Sequence, residues 1–210
     1  MRIVVGISGA SGAIYGIRLL EELGRAGVET HLVISSWARE TIRQETDYTP
    51  EAVEALASVC YSPEDQSAAI SSGSFVTAGM VVAPCSMKTV AAIAHGYADN
   101  LLVRAADVCL KEQRKLILVP RESPLSAVHL ENLLCLARLG VVILPPVPAF
   151  YHRPRSVEEI VDHTVGRVLD HLGVPHRLLR RWKEKETVEE GDLLPGRQGA
   201  IPGFGSRLAD

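Results

Sequence analysis

The chain has 210 residues, 47% of them hydrophobic and 22% charged, which is enough apolar material for one globular domain with a sizeable core. Its formal charge of −3, with no long Lys or Arg block, leaves no broad basic face and argues against nucleic-acid binding. Four cysteines without a C-x-x-C pair, and seven histidines without an H-E-x-x-H motif, argue against a resident metal.

The opening apolar run, residues 2–7, predicts a strand. It meets a glycine cluster too soon to form a signal-peptide core or a membrane span, so the expected location is the cytoplasm. Nearly continuous apolar runs at 29–34, 78–83, 115–119 and 141–144 read as further strands buried on both faces. Between them, helical periodicity predicts helices over 13–26, 36–45, 87–95, 100–112, 126–139 and 156–172. This alternation implies an α/β fold: a Rossmann-like (flavodoxin-like) doubly wound parallel sheet in three αβα layers, spanning residues 1–182. Residues 183–210 are charged, then rich in Gly and Pro, and are expected to form a flexible tail or an arm on a neighbouring subunit. The four cysteines are expected to be reduced, Cys85 near a site and Cys60, Cys109 and Cys135 as core filler.

In such sheets ligands bind beyond the carboxyl ends of the strands. The first of those junctions, "GISGASGAIYG", has a G-x-x-G-x-x-G spacing that matches neither the dinucleotide fingerprint nor the P-loop. Its bare backbone can still approach an anion at the following helix N-terminus, with Ser8 and Ser11 adding hydroxyls. At the second junction stand Ser35 and Ser36, where a dinucleotide-binding sheet usually carries an acidic residue for the ribose, which favours FMN over NAD. One of these serines can equally serve as an N-cap. The third, "PCSMKT", sets Ser86, Lys88 and Thr89 in one turn as a second anion or carbonyl site. The fourth, "LVPRESPLS", puts Arg121 and Glu122 at the mouth. Lys111 at a helix end, Tyr151 and Arg153 after a Pro-rich turn, and Arg167 inside the last helix complete a cationic set suited to a second, separate phosphate.

Taken together, "GISGASGAIYG", "SSGSF", "PCSMKT", "RAADVCLKE", "LVPRESPLSAVHLEN" and "PPVPAFYHRP" resemble the flavin prenyltransferase family, also called UbiX-like or phenylacrylic acid decarboxylase-like proteins. The resemblance runs from Ile3 to Trp182. It implies a dodecamer built from trimers, with FMN bound at a subunit interface. The implied reaction transfers a dimethylallyl unit from dimethylallyl monophosphate to reduced FMN, and prenylated FMN then serves a UbiD-type decarboxylase. Carried onto matching positions, Gly9, Ala10, Ser11, Ser35, Ser86, Met87, Lys88, Thr89, Arg104 and Arg121 would contact the flavin. Lys111, Tyr151 and Arg167 would grip the allylic phosphate beside Arg121 and Trp182, with Glu45, Glu122, Lys111 and Ser11 in catalysis.

The residues support such chemistry on their own terms. No D-D-x-x-D motif is present to hold Mg²⁺ on a diphosphate, so fixed cations must take the charge that develops on a leaving monophosphate. Glu122 is then the proton carrier, and Trp182 and Tyr151 are candidate walls that shield an allylic cation. Three other readings compete with this one. FMN-dependent cysteine decarboxylases share the fold, but their catalytic His and P-x-M-N-x-x-M-W motif are not evident here. A non-catalytic FMN-binding subunit of a hydroxyarylic acid decarboxylase complex is the second. The third is a module that only binds FMN, against which the clustered Lys111, Arg121, Glu122 and Arg167 argue because FMN has one phosphate.

Overall fold

A computed structural model describes residues 1–179, 181 and 182, so the expected tail at 183–210 lies outside the described residues. The elements follow in the order β1 (Arg2–Ile7), α1 (Ala13–Arg25), β2 (Glu29–Ile34), α2 (Ser36–Glu45), α3 (Pro50–Glu54), β3 (Val59–Tyr61), a 3-10 turn (Ala69–Ser71), β4 (Gly79–Cys85), α4 (Met87–Ala94), α5 (Leu101–Lys111), β5 (Lys115–Pro120), α6 (Ala127–Arg138), β6 (Val142–Ile143) and α7 (Val157–Leu172). All strand pairs are parallel, in the spatial order β3-β2-β1-β4-β5-β6. The five strands expected from sequence take the flavodoxin order, and the short β3 is added at one edge.

Side-chain alternation along the strands builds two cores. Ile3, Val5 and Ile7 of β1, with Val81, Ala83, Ile117 and Val119, pack under α1 and α7. Val4, Met80, Val82, Leu116 and Leu118 face α4 and α5 on the other side. Because both faces are covered, the strands read as continuous apolar runs rather than alternating ones. Each fully buried Leu or Ile contributes about 1.5–3 kcal/mol.

Helix starts are set by cap residues. Ser35, Ser86, Asn100, Ser126 and Ser156 each accept a backbone N–H of the following first turn, so the helices expected from 100, 126 and 156 begin one residue later. The stretch between α2 and β4 holds structure that periodicity does not signal. Thr49 caps α3 with Pro50 in its first turn, while β3 is held to β2 partly by reciprocal bonds, Thr30 N–H to Ser58 Oγ at 3.1 Å and Ser58 N–H to Thr30 Oγ1 at 3.0 Å. The expected third strand also runs two residues further, through Pro84 to Cys85, and its register with β5 shifts there.

Candidate active site

β1 connects to β2 on one side of the sheet and lies beside β4 on the other, so the strand order reverses at the β1/β4 boundary. The loops leaving the carboxyl ends of β1, β2 and β4 line a cleft of about 380 Å³ there. Gly9, Ser35, Ser86, Lys88 and Thr89 are brought together in it, with Ser36 and Trp37 from α2, Pro63 and Glu64 from the loop after β3, and Asn100 and Leu102 from α5. The volume suits a small-molecule site. Its hydroxyls are already partly ordered: Ser35 Oγ caps α2, and Ser86 Oγ caps α4 while lying 3.0 Å from Thr89 Oγ1. Lys88 is exposed and pairs with Asp99 at 3.3 Å.

Two glycines fix the shape of the first loop. A Cβ on Gly9 would stand 2.5 Å from Trp37 Cβ, so only a bare backbone lets this loop lie against the start of α2. Gly12 has φ of 102°, in the left-handed region that favours glycine. The helix that follows has no side-chain cap of its own. Glu45, from the end of α2, supplies one instead: its Oε2 accepts the Gly12 N–H at 2.7 Å and the Ala13 N–H at 3.3 Å. A carboxylate therefore occupies the positive end of α1, where the glycine spacing predicted a ligand anion. Ser8 is likewise a stitch rather than a ligand donor. It is buried, gives its hydroxyl to Pro84 O at 2.8 Å, and takes the Ser86 N–H at 2.7 Å, tying the β1 and β4 loops together.

Arg121 joins the rim of this region. Its backbone N–H bonds Cys85 O, and its Nε donates to Ser11 O at 3.2 Å, so Ser11 and Arg121 meet across the switch point. Ala10 and Met87 are buried, and Glu122, exposed next to Arg121, accepts the Ser123 N–H at 3.0 Å. Cys85 is buried in this floor, and desolvation pushes its thiol far above the ordinary range, which makes it inert. Cys109 is buried as expected, but Cys60 and Cys135 are exposed and do not fill the core.

The cationic set does not converge in one chain. Tyr151, Arg167 and Trp182 form a second group around the last helix. Tyr151 meets Trp182 edge-on at 5.3 Å and bonds His163 Nε2 through its hydroxyl at 3.0 Å, and Arg167 follows His163 by one helical turn. Arg167 is half exposed and pairs with Asp170 at 3.5 Å. Asp170 also binds Arg181 and His176, and Arg181 above all holds its carboxyl down at about 2.

Lys111 stands elsewhere. α5 begins at the cleft, where Leu101 N–H bonds Pro63 O, and runs back about 15 Å against the strand direction to the amino-terminal edge of the sheet. There Lys111 pairs with Glu112, and a Cβ on Gly73 would run into both side chains. Arg104, midway, donates to Ser71 O at 3.1 Å and to Asp107 at 2.6 Å. Sequence alone missed Trp37, Pro63, Glu64 and Asn100 as cleft walls, although Asn100 was visible as a helix start. Among the described residues no group of three or more His, Cys, Asp or Glu is placed to hold a metal, and no helix is long and apolar enough to cross a membrane.

The Flavoprotein family model matches residues 1–169. Flavin prenyltransferase LpdB of Lactiplantibacillus plantarum is 55% identical over 183 residues, covering 87% of this chain and 98% of LpdB. Among solved structures, a dodecameric FMN-dependent UbiX-like decarboxylase from Escherichia coli O157:H7 superposes with a TM-score of 0.86 at 57% identity, covering 88% of this chain and 100% of that one. AnUbiX (PadA1), solved in complex with FMN and dimethylallyl pyrophosphate, gives a TM-score of 0.86 at 52% identity, over 88% and 98% of the two chains. With this agreement along nearly the whole described chain, the protein belongs to the Flavoprotein family and, within it, to the UbiX-like flavin prenyltransferases.

Proposed function

We propose that this chain is a flavin prenyltransferase that moves a dimethylallyl unit from dimethylallyl monophosphate onto reduced FMN and releases phosphate. The observation that carries the reading is the presence of two separate polar groups. One is the hydroxyl-lined cleft at the switch point, and the other is the Tyr151–Arg167 group. FMN has one phosphate, so a binding-only flavin subunit would have no use for the second group.

The cleft residues fit FMN. Gly9, Ser35, Ser86, Lys88 and Thr89 of the cleft, with Ala10, Ser11, Met87 and Arg121 from the adjoining loops, would hold it, the serine and threonine hydroxyls standing in place of the acid that an adenosine ribose needs. The reduced flavin ring supplies the nucleophile. In the transfer the ester C–O bond breaks, the allylic carbon bonds to the flavin, and a flavin proton ends on the departing phosphate. Tyr151 and Arg167 hold that phosphate and offset its growing charge, and Glu122 carries the proton. Trp182 walls off water.

Lys111 and Arg104 enter this scheme from a neighbouring copy, since α5 carries them away from the cleft of their own subunit. Support comes from the dodecameric relative and from α6, which leaves Val128, Leu130 and Leu134 exposed as an interface would require. The product goes to a UbiD-type decarboxylase, and the cytoplasm is the site of action. Anaerobic incubation with reduced FMN and dimethylallyl monophosphate, followed by mass analysis of the extracted flavin, tests the proposal. A gain of one dimethylallyl unit is expected. An unmodified, tightly held flavin would instead favour the non-catalytic decarboxylase subunit.

A further inference from the structure

The group around Tyr151 contains two histidines that the proposed reaction does not use. His163 Nε2 lies 3.0 Å from the Tyr151 hydroxyl. His152 stacks on His163 with ring centroids 4.9 Å apart and planes within 2° of parallel. Both ring nitrogens of His152 are buried and have no hydrogen-bond partner among the described residues. Leaving buried polar atoms unpaired costs about 1–3 kcal/mol each. A side chain held at that cost contributes through its flat surface, which fixes the plane of the neighbouring imidazole.

From this geometry we infer that His163 is a positioning residue, oriented by the His152 ring, which fixes the Tyr151 hydroxyl for the allylic phosphate. A phenol has one proton and one rotor. When a neutral imidazole donates from Nε2 into the phenol oxygen, the phenol proton is left facing outward, where an oxyanion can accept it. Burial first, then His152 and Arg167, lower the pKa of His163 and so favour the neutral ring. The edge-on contacts of Tyr151 with His152 at 5.4 Å and with Trp182 at 5.3 Å hold the phenol ring in the same arrangement.

The inference rests on the proposed contact between Tyr151 and the substrate phosphate, and binding can be read without turnover. Dimethylallyl monophosphate is titrated calorimetrically into the full chain loaded with oxidised FMN, for the parent, Tyr151→Phe, His163→Leu, His163→Gln and the Tyr151→Phe/His163→Leu double variant. Tyr151→Phe and His163→Leu should each weaken binding about tenfold, and His163→Gln, whose amide nitrogen can donate from nearly the same place, should recover most of it. The double variant should bind no worse than Tyr151→Phe, because His163 acts through that hydroxyl. FMN retention after gel filtration should be unchanged throughout. Losses that multiply in the double variant, or a His163→Leu protein that binds like the parent while Tyr151→Phe is weakened, overturn the inference. If Tyr151→Phe itself binds like the parent, the substrate contact fails, and the inference falls with it by a different result.

Discussion

The cleft at the switch point and the aromatic group at the last helix are built by opposite means. The cleft is made of strand ends and helix caps, so backbone topology places it, and its hydroxyls are ordered by the turns they cap. The second group is made of side chains that reach one another from a Pro-rich loop, one helix face and the segment after it. The first should tolerate changes of side chain but not of backbone volume. The second should respond to single side chains and leave the flavin untouched.

The largest effect is expected at the residue that belongs to neither region. Glu122 is exposed and accepts the neighbouring Ser123 N–H, so Glu122→Gln should leave both ligands bound. A proton carrier contributes about a hundredfold or more, and single-turnover transfer should slow by that factor. An unchanged rate would remove Glu122 from the chemistry and leave the two binding regions as the whole of the machinery.

Next comes the cleft. Gly9→Val would drive a side chain into Trp37, and overpacking of about 1–3 kcal/mol should weaken FMN roughly ten- to a hundredfold, read by flavin fluorescence. Arg167→Ala should do the reverse, raising the requirement for dimethylallyl monophosphate about tenfold and sparing FMN. Loss of FMN from the Arg167 variant would merge the two regions into one site.

The same contrast explains what could be read before the fold was known. Apolar runs fixed the strands, and Ser35 and Ser86 marked their ends, because a cap is a local event with a local signature. Charge and the family motifs both group Lys111 with Arg121. A helix that leads into a parallel strand must return to the amino edge of the sheet, and that rule of direction separates the two residues. Glu45 on α1, and the stacked His152 and His163, depend on contacts between separate segments that leave no periodic trace.

Glu45 tests whether the cleft is shaped by backbone alone. Its carboxylate accepts two N–H groups at the start of α1, so Glu45→Ala should cost about 0.5–2 kcal/mol of stability, read by thermal unfolding, whereas Glu45→Gln should retain most of it. A Gln variant as stable as the parent but slow in transfer would give Glu45 a second role in the reaction.

The last effect is read by pH at Asp170, which pairs with Arg167. Asp170 has a folded pKa of about 2 against an ordinary 3.8, because Arg181 and His176 bond its charged form. A depressed carboxylate stabilises the fold above the unfolded value, and that contribution disappears as pH falls from about 4 toward 2. Asp170→Asn should therefore lower the unfolding temperature at pH 7 by a few degrees, about 1–2 kcal/mol once partial exposure is allowed for. Near pH 2 the parent and variant should converge. Because Asp170 also pairs with Arg167, the variant separates stability from substrate grip: if Arg167 needs that partner to face the phosphate, Asp170→Asn should weaken dimethylallyl monophosphate at pH 7 as well. If binding holds while stability falls, the aromatic group is organised without Asp170.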